Sequence, residues 1–330
     1  MMNIYKLIAE GPSRPFADAL WKDLSKMEDT LAALCGPEAG CLSAGLRRVV
    51  CSGGKRLRPL LAWTSWRLAG GRMEIVPLMT MLELMHTTSL IHDDFVDGAR
   101  LRRGVATINA EQGGDAALRS GDHLLARAME YLKLYRGTGI NEALSEVAQE
   151  MCLGELDQHA GLFRLDGMDE GRYFSRIRRK TALLMAECCR SGAVAGGAGS
   201  GLAAALLDYG LHLGLAFQLR DDLLDFEPSG ETGKPALQDL HSGVITLPVI
   251  LAAQSGTDLI PYVEKRDKTA GDIETILHCI KKTKALETTR SVLQRECGAA
   301  AGALSSLPMT AEKKSLLLLA ESLSEVKHIG

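Results

Sequence analysis

The chain has 330 residues, of which 46% are hydrophobic and 24% are charged, and its formal net charge is -3 at pH 7. This is the composition of a folded globular protein with ample material for a core, and it excludes an intrinsically disordered chain. The small net charge gives no overall attraction for nucleic acid or for an anionic membrane, so any anionic ligand has to be bound by local basic groups.

Cysteine usage and the N-terminus indicate the compartment. The eight cysteines form no CxxC pair and have no zinc-ligand spacing, which favours buried thiols in a reducing cytoplasm. No apolar segment of signal-peptide length precedes Glu10 and Pro12, so we expect a cytoplasmic protein. The uncharged stretch 191–207 is rich in glycine in its first half, and we interpret it as a loop between two helices rather than as a membrane span.

Apolar residues recur every three or four positions along most of the chain, which predicts helices. The first is expected to begin near Ser13 and to end before Gly36-Pro37. Others are expected at 42–50, 59–70, from 75 into the acidic residues after His92, and at 115–135, 141–161, 169–191, 202–226, 244–254, 272–282, 284–303 and 311–327. No segment alternates convincingly with period two. The sequence therefore predicts an all-α protein, a single domain over residues 1–330.

Two acidic clusters share one spacing. Asp93, Asp94 and Asp97 fall at i, i+1 and i+4 of a predicted helix, so Asp93 and Asp97 lie on one face. A single cluster of this kind is equally well explained as a solvated acidic turn. The spacing recurs, however, inside an apolar run, at Asp221, Asp222 and Asp225. Buried carboxylates require a cation, and Mg²⁺ prefers such oxygen ligands.

Basic residues lie where an anion could be shared with those carboxylates. A glycine turn precedes three cations in GGKRLRP (residues 53–59), which is an anion-binding arrangement of amides and side chains. Arginines directly follow the first acidic cluster, and Lys180 and Lys234 lie near the second. These groups predict two phosphate sites, one occupied through metal ions and one bound directly by lysine and arginine.

From Gly53 to Pro248 the motifs and their order resemble the trans-prenyl diphosphate synthases of the polyprenyl synthetase family, and most closely its bacterial medium- and long-chain members. The matching segments are GGKRLRP, LIHDDFVD followed by LRRG, GELDQ, RKTA, GLAFQLRDDLLD, GKP and DLHSGVITLP. The resemblance implies an all-α isoprenoid synthase type bundle, usually a homodimer, in which the acidic clusters face each other across a central cavity.

The resemblance also implies residue roles. Mg²⁺, expected as three ions per active site, would be held by Asp93, Asp94, Asp97, Asp221, Asp222 and Asp225. The allylic diphosphate would be bound by Arg102, Lys180, Gln218 and Lys234, and isopentenyl diphosphate by Lys55, Arg58, His86 and Arg103. Thr181 and the carbonyl of Lys180 would stabilise the allylic cation. Ionisation of the allylic C–O bond would then be followed by attack of the isopentenyl double bond and loss of a proton, without a nucleophilic side chain. The predicted catalytic residues are Lys180, Thr181, Gln218, Asp93 and Asp94.

One position departs from the family pattern. Family members usually have lysine where this chain has Val244, so a positive charge expected near the allylic diphosphate is missing. We expect the substitution Val244→Lys to tighten allylic substrate binding without changing the type of reaction.

The residues before Asp93 are expected to limit product length, because the diphosphate end of the product is fixed at the acids. The fifth and fourth residues before Asp93 are Thr88 and Ser89, which are small, and the next candidates are Met85 and Leu84. Each helical turn advances about 5.4 Å, roughly one isoprene unit. With farnesyl or geranylgeranyl diphosphate as primer, we therefore expect products of about C30 to C40.

Three alternatives stay open. A short-chain C15 to C20 synthase would use the same chemistry. A non-catalytic partner subunit of a heteromeric synthase is possible, although such subunits can lose acidic motifs and both are intact here. A His-Asp metal phosphohydrolase could use His86, His92 and Asp93, but it leaves GGKRLRP and the second acidic cluster without a role.

Overall fold

The computed structural model describes residues 13–102, 104–226 and 237–325. Its helices are, in chain order, α1 (Arg14–Leu34), α2 (Ser43–Cys51), α3 (Leu57–Leu68), α4 (Val76–Val96), α5 (Ile108–Gln112), α6 (Gly114–Leu132), α7 (Ile140–Ala160), α8 (Glu170–Ile177), α9 (Leu183–Gly196), α10 (Ser200–Asp225), α11 (Gln238–Ser242), α12 (Leu247–Gln254), α13 (Ile260–Val263), α14 (Ala270–Lys282), α15 (Ala285–Ala303) and α16 (Ala311–Ser324). The predicted all-α class is confirmed.

The short helices α5, α11 and α13 were not predicted, and the predicted boundaries agree closely with the other helices except at two places. The helix expected at 169–191 is divided by a π-helical turn at Arg178–Ala182 and continues to Gly196. The helix expected from 244 begins at Leu247, after an extended Thr246. A small antiparallel pair, β1 (Leu101–Arg102) with β2 (Val105–Ala106), was not predicted, because two-residue strands carry no period-two pattern.

Close helix packing positions α9 at the centre of the bundle, between α3 and α10, and α10 packs in turn on α15. Glycines permit these approaches. A Cβ atom on Gly192 of α9 would lie 2.2 Å from the carbonyl oxygen of Ala62 in α3. On the other side, a Cβ atom on Gly214 of α10 would lie 2.5 Å from the Cα atom of Ala182. The π turn is therefore held directly against α10.

One described helix, α10, is long and apolar enough to cross a membrane by length and composition. Core helices of globular proteins share this property, and α10 packs against α9 and α15. The uncharged stretch 191–207 is divided between the end of α9, residues 197–199 and the start of α10. The predicted loop is thus confirmed.

Candidate active site

The first acidic cluster forms the C-terminal end of α4, and its members have different environments. Asp94 is 3% exposed, and its Oδ1 accepts a hydrogen bond of 2.7 Å from Nε of Arg102, on β1. Asp93 is half-buried and Asp97 is exposed. Burial, followed by the negative charge of Glu155, raises the pKa of Asp93 to about 7 and raises that of Asp97 as well. Asp93 and Asp97 therefore face α7, which carries Glu155.

The π turn between α8 and α9 brings Lys180 to this first cluster. Gly154 of α7 lies so close to the turn that a Cβ atom on it would be 3.0 Å from Cγ of Lys180. The next residue, Glu155, forms an ion pair of 2.5 Å with Nζ of Lys180. Single π turns inside helices occur frequently at functional sites. Here the turn holds a lysine beside three carboxylates, those of Glu155, Asp93 and Asp97.

The second acidic cluster, at the C-terminal end of α10, is organised around Asp222. This residue is 2% exposed. Its Oδ2 accepts a 2.7 Å hydrogen bond from the hydroxyl of Tyr173, and its Oδ1 accepts a 2.9 Å bond from the amide of Gln218. Burial raises the pKa of Asp222 to about 6, although both hydrogen bonds act to lower it. The hydroxyl of Thr181 donates to Oε1 of Gln218 at 3.2 Å.

Consecutive residues of the π turn connect with the two acidic clusters. Lys180 pairs with Glu155, and the charges of both act on the pKa of Asp93. Thr181 donates to Gln218, which in turn donates to Asp222. The structure thus brings together Asp93, Asp97, Lys180, Thr181 and Gln218 as the sequence predicts. A diphosphate between the clusters would meet Lys180 from one side and the α10 network from the other.

The remaining members of the second cluster differ from Asp222. Asp221 is exposed. The two carboxylate oxygens of Asp225 accept hydrogen bonds of 2.8 and 3.1 Å from the backbone N–H groups of Gln238 and Asp239. Asp225 therefore caps the N-terminus of α11 and fixes that helix beside the site. The predicted residues Arg103 and Lys234 lie outside the described residues.

The basic turn before α3 directs its cations to different places. Nζ of Lys55 lies 5.9 Å from the centre of the Phe217 ring, next to Gln218 on α10. Arg56 is 4% exposed and forms ion pairs of 2.6 Å with Glu28 and 2.7 Å with Glu83. The sequence predicted three anion-binding cations in this turn. That prediction is wrong for Arg56, whose side chain is buried in the core and paired with two glutamates. Arg58 and His86 are half-buried, on α3 and α4.

The candidate product-length residues occupy different faces of α4. Thr88 is 6% exposed, and its Oγ1 lies 3.5 Å from the carbonyl oxygen of Gly121 on α6. Ser89 is half-buried and donates to the carbonyl of His86 at 2.8 Å. At 100° per residue, Ser89 lies within about 40° of Asp93 around the helix, whereas Thr88 lies about 140° away. Met85 and Leu84 are buried. Ser89 thus shares the face of the acids, and Thr88 faces α6.

Three residues of the site had no predicted role: Glu155, Tyr173 and Arg176. Glu155 lies in the GELDQ segment, so a local signal for it existed. Tyr173 and Arg176 lie on α8 and carry no such signal, because their partners are far away in sequence. Tyr173 is 49 positions from Asp222, and Arg176 is 69 from Ile245.

The donor set fits Mg²⁺, which binds carboxylate oxygens and commonly completes its shell with water and substrate phosphate. Among the described residues no three His, Cys, Asp or Glu side chains are close enough together to hold one ion.

Carboxylate clusters at the ends of two helices, with the lysine and threonine of one π turn near them, define the candidate active site of an all-α enzyme. Residues 40–280 match the family model described as "Polyprenyl synthetase", and the chain belongs to this family. It is a prenyltransferase, as the motifs predicted. The His-Asp phosphohydrolase alternative is thereby excluded.

Relatives and solved structures agree over nearly the whole chain. Heptaprenyl diphosphate synthase component 2 of Geobacillus stearothermophilus is 35% identical over 298 residues, which cover 89% of this chain and 92% of that protein. The crystal structure of a decaprenyl diphosphate synthase from Rhodobacter capsulatus has 32% identity and a TM-score of 0.89, and covers 97% of this chain and 98% of that one. A geranylgeranyl pyrophosphate synthase from Lactobacillus brevis has 27% identity and a TM-score of 0.85, covering 92% and 95%. The predicted isoprenoid synthase fold is confirmed.

Proposed function

We propose that the protein condenses isopentenyl diphosphate head-to-tail with an allylic diphosphate, farnesyl or geranylgeranyl, to give a trans-polyprenyl diphosphate of about C30 to C40. The observation that carries this proposal is the π turn, in which Lys180 pairs with Glu155 near Asp93, and Thr181 donates to Gln218, the donor to Asp222. The heptaprenyl product named for the Geobacillus relative, with seven isoprene units, lies in this range, and the decaprenyl product named for the Rhodobacter protein is longer still, so both support elongation beyond C20.

Mg²⁺, expected as three ions, would be held by the first acidic cluster (Asp93, Asp94 and Asp97) and by the second (Asp221, Asp222 and Asp225). It would neutralise charge on the leaving diphosphate. In the structure, Asp94, Asp222 and Asp225 already accept hydrogen bonds from protein donors. These hydrogen bonds would fix the orientation of the three carboxylates.

The protein groups bind and orient the two substrates. Lys180, Gln218, Arg102 and Lys234 would hold the allylic diphosphate, and Lys55, Arg58, His86 and Arg103 the isopentenyl diphosphate. As the allylic C–O bond breaks, its electrons leave with the diphosphate. The oxygens of Thr181 and of the Lys180 carbonyl lie on the turn that faces the cation, and they stabilise it. The isopentenyl double bond attacks this cation, and the departing diphosphate accepts the proton that is lost. Binding both diphosphates supplies orientation.

The test is to incubate the purified chain with Mg²⁺, isopentenyl diphosphate and, separately, dimethylallyl, geranyl, farnesyl and geranylgeranyl diphosphate. We expect products of about C30 to C40 from the longer primers. Products that end at C15 to C20 would support the short-chain alternative. Absence of product until a second protein is added would support the partner-subunit alternative, since the Geobacillus relative is named a component 2. The proposed homodimer, cytoplasmic and not membrane-spanning, is tested by light scattering and cell fractionation.

Thr88→Phe is expected to shorten the product, because a phenyl ring there would fill the space between α4 and α6 beside Gly121. Ser89→Phe should shorten it further, since Ser89 shares the face of Asp93. Product length is measured by chromatography after dephosphorylation. Leu118→Phe is the control, because it adds a ring to an exposed position of α6. Unchanged length in both α4 variants would show that this face does not limit elongation.

Glu155→Gln is expected to strengthen metal-free binding of an unreactive thiolo analogue of farnesyl diphosphate by roughly five- to tenfold, about 1 to 1.4 kcal/mol. The reason is that the ammonium of Lys180 loses the carboxylate that competes with the diphosphate. Asp157→Asn is the matched control, since Asp157 lies on the same helix and pairs with Arg179 at 2.7 Å. Calorimetry measures both. Weaker binding by Glu155→Gln would show that Glu155 organises Lys180 rather than competes for it.

A further inference from the structure

Arg176, on α8, lies near Asp222 of the second acidic cluster, and it has no role in the reaction described above. It is 6% exposed, although an isolated buried guanidinium is strongly unfavourable. Its Nη2 donates a hydrogen bond to the backbone carbonyl of Ile245. Its guanidinium carbon lies 5.7 Å from the centre of the Tyr173 ring, whose hydroxyl holds Asp222. Arg176 is therefore a buried positive charge connected to both the second cluster and the segment that contains Val244.

The guanidinium of Arg176 is connected to the acidic cluster as well as to the backbone, because the Tyr173 side chain on which it packs donates its hydroxyl to Asp222. The side chains that donate hydrogen bonds to Asp222, those of Tyr173 and Gln218, are both neutral. A hydrogen bond to one carbonyl would require only a neutral donor. A full charge at this position is instead suited to a site where carboxylates and diphosphate oxygens accumulate.

We propose that Arg176 supplies to the second acidic cluster the positive charge that the family resemblance led us to expect at position 244. Arg176 lies on α8, and it is joined to the segment before α12 by its hydrogen bond to the carbonyl of Ile245, the residue next to Val244. Arg176 acts through Asp222 and the 243–246 segment, so it is a positioning residue. This inference rests on the proposed binding of Mg²⁺ and diphosphate at the cluster.

The proposal changes what is expected of Val244→Lys. In the native protein a second cation beside Arg176 would meet like charge, so Val244→Lys alone should tighten diphosphate binding little. The tightening expected from the sequence should instead occur when the charge of Arg176 has been removed. Arg176→Gln is the suitable change, because an amide can still donate to the carbonyl of Ile245 while the charge is lost.

The experiment measures the dissociation constant of inorganic pyrophosphate with Mg²⁺ by calorimetry, together with the thermal midpoint. Arg176→Gln is expected to raise the dissociation constant about tenfold, within the range known for groups that support metal ligands. Arg176→Lys and the double variant Arg176→Gln/Val244→Lys are expected to recover most of that loss. Arg178→Gln, which removes the same charge from an exposed position two residues away, should bind as the native protein does.

Equal affinity of Arg176→Gln and the native protein would overturn the proposal, as would a double variant that binds no better than Arg176→Gln. If Arg176→Gln does not fold, Val244→Lys in the native background decides, because tenfold tightening there would show that the charge was missing after all. Failure of the native protein to bind pyrophosphate with Mg²⁺ would instead contradict the proposed function. The two failures are therefore distinguishable.

Discussion

Replacing Tyr173 by phenylalanine is expected to weaken the binding of Mg²⁺ with pyrophosphate about 10- to 100-fold, the usual effect of losing a group that orients a metal-binding carboxylate. Tyr173 is fully buried, and its hydroxyl donates to Oδ2 of Asp222 at 2.7 Å. Phenylalanine keeps the ring and its packing on Arg176 and removes only the hydroxyl. Asp222 would then keep Gln218 as its single neutral side-chain donor.

The pH dependence distinguishes this effect from a loss of packing. Burial raises the pKa of Asp222 to about 6, and the hydrogen bond from Tyr173 opposes that rise. Without the hydroxyl the pKa rises further, so the carboxyl keeps its proton to higher pH. A metal ion needs the carboxylate form. Native affinity should therefore fall as the pH drops first through about 7, where Asp93 takes up a proton, and then through about 6, where Asp222 does. In Tyr173→Phe only the second fall should move to a higher pH.

The raised pKa of Asp222 also affects the stability of the metal-free protein. A carboxyl group whose pKa is raised by folding stabilises the fold at low pH, and this contribution is lost as the pH rises through about 6. Mg²⁺ with pyrophosphate should restore the thermal midpoint above that pH in the native protein, and less so in Tyr173→Phe.

Calorimetric titrations and thermal midpoints across this pH range test the prediction. Tyr135→Phe is the matched control, because Tyr135 is 1% exposed and its hydroxyl donates at 3.1 Å to the carbonyl of Glu74, away from the acidic clusters. If Tyr173→Phe weakens binding equally at every pH, the hydroxyl affects the site through packing and not through the ionisation of Asp222.

Local periodicity explains how much of this protein the sequence could predict. Helix positions follow from apolar residues three or four apart. The spacing of Asp93 and Asp97 puts them on one helix face regardless of where that helix lies in the fold. These are short-range properties of the chain. The fold class and the acidic clusters were therefore predictable, and so was the pairing of Lys180 and Thr181 with them through the family resemblance.

What the sequence could not provide depends on contacts between distant segments. The π turn at Arg178–Ala182 exists where Gly154 and Gly214 allow α7 and α10 to approach it closely. Nothing in RRKTA alone requires it. Likewise, all three cations of GGKRLRP look equivalent in the sequence, and only the acids supplied by α1 and α4 distinguish Arg56 from Lys55.

Arg56→Met is expected to destabilise the protein by about 3 to 5 kcal/mol, the usual effect of breaking a buried ion pair from one side. Glu83 is 3% exposed, and its Oε1 accepts a hydrogen bond of 2.7 Å from Nη1 of Arg56. Without the guanidinium, a carboxylate would be buried in α4 without its cation. Glu28, the other partner, has a side chain that is 42% exposed and can be solvated by water. Most of the loss should therefore come from Glu83.

This assignment predicts the behaviour of two further variants, measured by urea and thermal midpoints. Arg56→Met/Glu83→Met should recover most of the lost stability, because replacing both members of a buried pair by apolar side chains is often neutral. Lys55→Met removes the adjacent charge, and because Lys55 is only half-buried, over the Phe217 ring, it should change stability by only about 0.5 kcal/mol. It should, however, raise the KM for isopentenyl diphosphate. If Lys55→Met and Arg56→Met instead had the same effect on stability, Arg56 would contribute no more to the core than Lys55 does. The assignment of Arg56 to the core rather than to anion binding would then be wrong.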